Sequence, residues 1–477
     1  MRALPTVLAL FLAGCAGGPD PLTMDNATFV QQLHQRFQYG PPQPAPTETP
    51  DRRAGQIADA AYFAQFPNYD RSYSASARAE ALRLGAVLQA QAGDLSHEQF
   101  VLRTAEIAAL ADNGHTAIGR NAFMKDTPRI PLRTYLFADG LYVLYANQAN
   151  ADLLGARVDT IDGRGIETIY GVIRRYRGGV EAFRRRQLIP MLESPGLLQA
   201  AGVAAANDEL TLSGVLADGT PFTRRVAAEQ RDRSAWVSNT ARLTYPDTLA
   251  NVGMISFLHN DADTPLYLHS SSHVFLMEPA PAGGLYVRLE HNADADEGPI
   301  APFLDGVLGS VVIQRPAFVV LDMRNNSGGD YTTTYDFARA LPGAANGAPI
   351  YVLTSPWTFS AAITTVAALK GEGARQVTIV GEEVGDRLDF WAEGGSFDLP
   401  NAFLRVNYAS GRHVYNGPCR NLDQCFWLNY RYPVRVATLA PEIRAPLTFA
   451  AYRQHRDPAM EAVLARQARR GSSARAQ

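Results

Sequence analysis

The stretch from Pro316 to Val380 restricts the fold more than any other part of this chain. Three short apolar runs, Phe318–Met323, Tyr351–Thr354 and Val377–Val380, alternate with two helical segments, Thr332–Leu341 and Phe359–Lys370. Short apolar runs bounded by turn signals read as buried strands. Strands that alternate with helices pair in parallel through right-handed crossovers. An α/β fold with parallel βαβ units follows, and the loops after successive strands lie side by side at one end of the sheet.

Two of those loops carry chemistry. The first strand runs into RNNSGGD, where Gly328 and Gly329 let backbone N–H groups approach a ligand with no side chain in the way. Such a loop can cradle a phosphate, hold an oxyanion or simply turn a corner. The second strand leads through SPWTFSAA into an Ala-rich helix, which puts Ser360 at a helix start. There the hydroxyl sits beside unpaired N–H groups and the positive end of the dipole. Alone, Ser360 reads as a helix cap, a role that also suits Thr358. Beside the glycine loop it reads as a nucleophile, with the Ala361 N–H and a Gly328 or Gly329 N–H as the oxyanion hole.

The remaining chain divides by composition. Its 477 residues, 46% of them apolar, suit two or three domains. Residues 1–15 read as a signal peptide whose LAGC ending resembles a bacterial lipobox, with Cys15 as the lipidated residue. Ala16 after that cysteine points to the outer membrane, facing the periplasm, so the expected location is the cell envelope. Residues 16–53 read as a tether in which Tyr39–Pro50 is a semi-rigid Pro-rich spacer. An N-terminal helical domain is expected over 54–125, and a strand-rich module over 131–230, closed by a hairpin with an Asp218-Gly219 turn. The α/β core spans 245–465 and a disordered tail 466–477. Cys419 and Cys425 in CRNLDQC are expected to form a local disulfide in an oxidising compartment. Two thiols in one loop lack a second ligand pair, so no metal is expected. A net charge of −3 without a basic stripe gives no reason to expect nucleic acid.

In order, LDMRNNSGG, TFSAA and VTIVGE resemble the tail-specific (C-terminal processing) serine peptidases, together with their tricorn-core and retinoid-binding-protein relatives. The resemblance spans roughly residues 100–465. It implies a crotonase-like (ClpP-like) core, a PDZ-like module, a peptide or protein substrate and no cofactor. ARVDTIDGRGIETI is similar to the strand, turn and helix of a PDZ module, although LLGARV replaces the usual AGL-x-GD. One branch of the family uses a lysine base after its VGE element, but VGEEVGDRLDFW contains none. Only Lys125 and Lys370 are lysines, and Lys370 lies about 15 Å along the helix from Ser360. Arginine stays protonated and cannot serve.

The other branch, similar to tricorn, takes a histidine, and ADNGHTAIG offers His115. Imidazole is a suitable base at neutral pH, so activity is expected to rise through a histidine-like pKa. The bland alternative for His115 is a hydrogen-bonded turn residue, and His413 in SGRHVY is the other candidate base. For the orienting acid Glu382 ranks before Glu383, Asp386 and Asp112. Ile363 stands where many relatives carry glutamate. The resemblance thus implies an envelope-anchored serine peptidase working through an acyl-enzyme on Ser360. The competing reading is a catalytically silent lipoprotein of the same fold that binds peptide or an apolar ligand.

Overall fold

The computed structural model describes residues 20–41, 43–123, 127–229 and 240–475. Its centre is a six-stranded sheet. From one edge to the other the strands are Ile443–Arg444, Val377–Gly381, Ile350–Thr354, Val319–Asp322, Gly284–Leu289 and Phe275–Ala280. All pair in parallel except Phe275–Ala280, which runs antiparallel at the edge. The three apolar runs are thus its central strands.

Both faces of the sheet are covered, which is why these strands are apolar throughout rather than alternating. Val319, Leu321, Ile350 and Val352 face helices Ile300–Gln314, Thr332–Ala344 and Ala361–Gly373 through Val307, Phe337 and Val366. Val320, Tyr351 and Leu353 face the other way, onto Ala459, Met460 and Val463 of helix Pro458–Arg475. The tail expected to be disordered is therefore helical through Arg475. Its apolar stripe has a sheet face to cover, and Gln467 Nε2 donates to the Tyr351 hydroxyl at 3.0 Å.

The middle segment forms an antiparallel sheet in the order Leu132–Phe137, Gly140–Ala146, Arg157–Ile161, Glu209–Val215, Pro221–Ala227. Its last two strands are the expected hairpin, with Gly219 at φ 94°. Helices Arg52–Phe63, Ala75–Gln91 and His97–Ala109 precede it. One buried cluster joins Phe63, Phe66 and Phe100 of the helical segment to Val143, Val158 and Leu210 of this sheet. It continues to Phe397, Leu399 and Val406 of the later hairpin Gly395–Leu399 and Leu404–Tyr408. The helical segment and the middle module therefore share a core.

Residues expected to form a free tether are docked. Helix Asn26–Phe37 buries Phe29, Leu33 and Phe37 in one cluster with Phe426 and Trp427. Tyr39 stacks on Tyr408, and Thr49 N donates to Asn401 Oδ1 at 2.8 Å, so the Pro-rich segment is pinned near both ends. The floor beneath the N-terminal helix begins at the Cys419–Cys425 disulfide. A loop this short contributes about 2–3 kcal/mol at most. Reduction should therefore release the N-terminal helix and leave the central sheet intact. In hydrogen–deuterium exchange, 26–37 and 410–430 should exchange faster while 319–381 does not change. A uniform rise along the chain would contradict this.

Candidate active site

Because the central strands are parallel, the loops that follow them open on one edge in spatial order. His291 and Asn292 follow the strand Gly284–Leu289, and the glycine loop follows Val319–Asp322. Ser360 follows Ile350–Thr354, and residues 382–386 follow Val377–Gly381. Two hydrogen bonds tie the Ser360 loop to the glycine loop. Thr358 Oγ1 donates to Met323 O at 2.8 Å, and Phe359 N donates to Asn326 O at 3.0 Å.

Ser360 occupies the cap position of helix Ala361–Gly373 but does not cap it: its side chain makes no cap hydrogen bond. Its backbone lies at φ 56°, ψ −127°, a region L-residues avoid at a cost of about 1–3 kcal/mol. A cap residue would have extended φ/ψ.

The glycine loop presses directly on this turn. A Cβ on Gly328 (φ 103°) would lie 2.7 Å from Ser360 Cβ and 3.0 Å from Ala361 N, so only glycine fits. The Gly328 N–H, however, is engaged: it donates to Asn326 Oδ1 at 2.9 Å. Asn292 N donates to Gly328 O at 2.9 Å and Asp330 N to Asn292 O at 2.7 Å. That parallel bridge leaves Gly329's own N–H pointing to the opposite side, away from Asn292. Of the two glycines proposed as oxyanion donors, Gly328 supplies clearance and Gly329 keeps the free donor. Ala361 N–H opens the helix unpaired.

His115 lies in the turn between helix His97–Ala109 and the short strand Ala117–Ile118, which pairs with Leu404–Tyr408. Its ring stacks on Phe359, the residue before Ser360, at 4.3 Å, and faces Phe390 at 5.5 Å on its other side. Phe183 stacks on Phe359 at 4.2 Å. The imidazole is 17% exposed, lies within reach of the Trp391 backbone, and makes no hydrogen bond to Ser360. Burial, with His413 and the Arg177 charge nearby, pushes its pKa down to about 3, so it is neutral at physiological pH.

The acid beside it is Asp386, not Glu382. Asp386 Oδ2 stands 3.7 Å from His115 Nδ1, buried and without a hydrogen-bond partner, while Oδ1 accepts from Arg387 N at 2.9 Å. Burial pushes the Asp386 carboxyl up to about 7. Glu382 instead forms a two-pronged ion pair with Arg186 at 2.8 and 3.0 Å. It comes directly after the strand and faces a different cavity, lined also by Tyr135, Tyr267 and Arg324. Glu383 is exposed, and Asp112 pairs with Arg184 and Arg387. His413 is buried, with Nδ1 near the Tyr415 hydroxyl (3.0 Å) and Nε2 3.3 Å from Glu393 Oε1. Lys370 is tied to Val377 O and Glu442 at the far end of its helix.

A cleft of about 270 Å³ opens beside this constellation, walled by His115, Ile118, Arg177, Phe183, Trp357 and Phe359, with Ser327 at its rim. Sequence reasoning missed the aromatic stack and Arg177; Phe359 beside Ser360 was the one local hint. Among the described residues no cluster of His, Cys, Asp and Glu could hold a metal ion. Cys15 lies outside the described residues.

No protein-family model and no curated protein matches the sequence. Solved structures do. Mature CPAF complexed with lactacystin superposes with a TM-score of 0.55 at 12% identity, covering 87% of this chain and 97% of that one. The chain has the fold of CPAF. A second structure of mature CPAF gives a TM-score of 0.54 at 12% identity, over 85% of this chain and 95% of that one. The photosystem II D1 C-terminal processing protease superposes at 0.33, with 13% identity over 83% of this chain and 93% of its own.

Proposed function

We propose that this chain is a serine peptidase with Ser360 as nucleophile, His115 as general base and Asp386 as the acid that orients the imidazole. Ser360 Oγ attacks a peptide carbonyl while His115 accepts its proton; the oxyanion is held by the Ala361 and Gly329 N–H groups. The proton passes from His115 to the departing amine, and water then hydrolyses the acyl-enzyme with His115 again as base. The supporting observation is Ser360 itself: a strained, non-capping serine against a glycine that can carry no side chain, with two free N–H groups beside it. His115 and Ser360 are not hydrogen-bonded in the free protein; such contacts often tighten only with substrate bound. The Phe359 stack holds the imidazole one residue from the nucleophile.

The α/β core and the middle antiparallel sheet fit the crotonase-like and PDZ-like parts of that family, and the cleft fits a substrate side chain beside the scissile bond. The LAGC sequence supports anchoring through Cys15 in the cell envelope. The chain is already docked ahead of helix Asn26–Phe37, with Pro21 buried and Arg431 donating to Met24 O at 3.0 Å. No helix among the described residues is long and apolar enough to cross a membrane.

The second reading, a silent peptide-binding protein of the same fold, draws on the engaged Gly328 N–H and on the gap between His115 and Ser360. Incubation with a peptide library decides between them. Wild type should cleave, His115→Ala should lose cleavage, and Lys370→Met should retain it. Intact peptides retained on the wild-type protein would favour the silent form.

A further inference from the structure

We infer that Arg177 is a positioning residue for His115: it clamps the turn that carries the imidazole, a role that rests on the peptidase reading above. One side of the His115 turn is held by Thr116, which donates to Asp70 and accepts from Asn113, and by the two-residue strand Ala117–Ile118, which pairs along one edge with Asn407 and Val406. Arg177 secures the other side. Its Nη2 donates to Gly114 O at 2.8 Å and its Nη1 to Ile118 O at 3.4 Å, carbonyls that lie on either side of His115 in sequence. The side chain comes from the middle module and is 9% exposed, with its guanidinium 5.4 Å from the centre of the Phe183 ring.

The two residues after it complete the clamp. A Cβ on Gly178 would lie 2.8 Å from Asn113 N, and one on Gly179 (φ 95°) 3.1 Å from Gly114 Cα. Backbone of the segment Arg177-Gly178-Gly179 therefore lies flush on the backbone of Asn113 and Gly114, a fit that side chains would prevent. Phe183 then continues to Phe359 and His115, so the clamp, the stack and the nucleophile's neighbour form one packed unit. A planar fork can bridge two carbonyls; a lysine ammonium on a flexible stem cannot reproduce that geometry.

Arg177 also adds charge. The charged and titratable groups around the imidazole are Asp386, His413 and Arg177, with Arg387 and Asp112 beyond Asp386. Arg177 stabilises the ionised form of Asp386 and disfavours protonation of His115. Its loss should move the acid limb of activity to higher pH.

The test is the rate of Ser360 phosphonylation by a fluorophosphonate, with fluoride leaving, followed against pH in wild type, R177M and R177K. R177M should react roughly tenfold more slowly or worse at pH 8, because the base is misplaced. Its acid limb should rise by about half to one pH unit. R177K should be similarly slow with its limb at the wild-type position, and methylguanidinium should partly restore R177A. Wild-type rates and profiles in R177M and R177K would overturn the inference, as would equal slowing with an unmoved limb and no rescue. Should R177M fail to fold, R177K decides: slow phosphonylation at an unmoved limb supports the clamp, and a wild-type rate refutes it. If the wild-type protein itself is not phosphonylated at Ser360, it is the peptidase reading that fails.

Discussion

Ser360→Gly is expected to abolish peptide hydrolysis and yet raise the stability of the protein. In the proposed mechanism the hydroxyl is the nucleophile, so activity should fall to background. The backbone at φ 56°, ψ −127° is one that glycine adopts without a Cβ penalty. No cap hydrogen bond is lost, because none is made. The relief should be about 1 kcal/mol, offset in part by the greater freedom of glycine in the unfolded chain. Ser360→Ala should be equally inactive but nearly unchanged in stability, since alanine keeps the strain. Denaturant titration of the three proteins checks the order: glycine above alanine, with alanine close to wild type. If Ser360→Ala were destabilised by the roughly 1 kcal/mol typical of a lost cap, Ser360 would be a cap after all.

Asp386→Asn should produce the second large effect, and its sign depends on pH. In the folded protein burial raises this carboxyl to about 7 from an ordinary 3.8. Between those values the folded state holds a proton that the unfolded chain releases, so this group's contribution to stability falls as pH rises from about 4 to about 7. The full loss is about 2–4 kcal/mol. Asparagine removes the titration, so Asp386→Asn should gain stability over wild type at pH 8 and little at pH 4. His115 acts at the other end: with its pKa near 3 instead of 6.5, it costs stability as pH falls through that interval.

Activity should move opposite to stability. Only the ionised carboxylate can both accept from Nδ1–H and offset the charge that forms on the imidazole, so wild-type turnover should rise through a pKa near 7, and Asp386→Asn should lose roughly 10²–10⁴-fold at pH 8. A limb near 7 resembles the titration of an ordinary histidine, but here it belongs to Asp386. His115 is already neutral throughout that range. Thermal melts and turnover at pH 5, 7 and 8.5 test both halves. Identical pH profiles for wild type and Asp386→Asn would remove Asp386 from the site.

The strands around the site were legible because both sheet faces are buried, leaving unbroken apolar runs such as Val319–Leu321 and Ile350–Leu353. The serine at the helix start and the glycine loop could be read for the same reason: each follows such a run. The strain at Ser360 could not, since nothing in TFSAA specifies a positive φ. The orienting acid was equally hidden. VGEEVGD offers three carboxylates in five residues, and the choice depends on Arg186 drawing Glu382 away and on Gly385 packing against Phe359. Phe29, Leu33 and Phe37 have the spacing of a buried helix face, but their receptors, Phe426 and Trp427, lie nearly four hundred residues on. The Pro-rich segment after them then read as free spacer.

The central claim is that Ser360 is a nucleophile activated by His115. Treatment with a fluorophosphonate, followed by peptide mass mapping, tests it most directly. One phosphonyl adduct should form on the peptide containing Ser360 in wild-type protein. The adduct should be absent in Ser360→Ala and strongly reduced in His115→Ala, while persisting in Glu382→Gln. An unlabelled Ser360 in folded wild-type protein, or labelling that survives His115→Ala undiminished, would contradict the account.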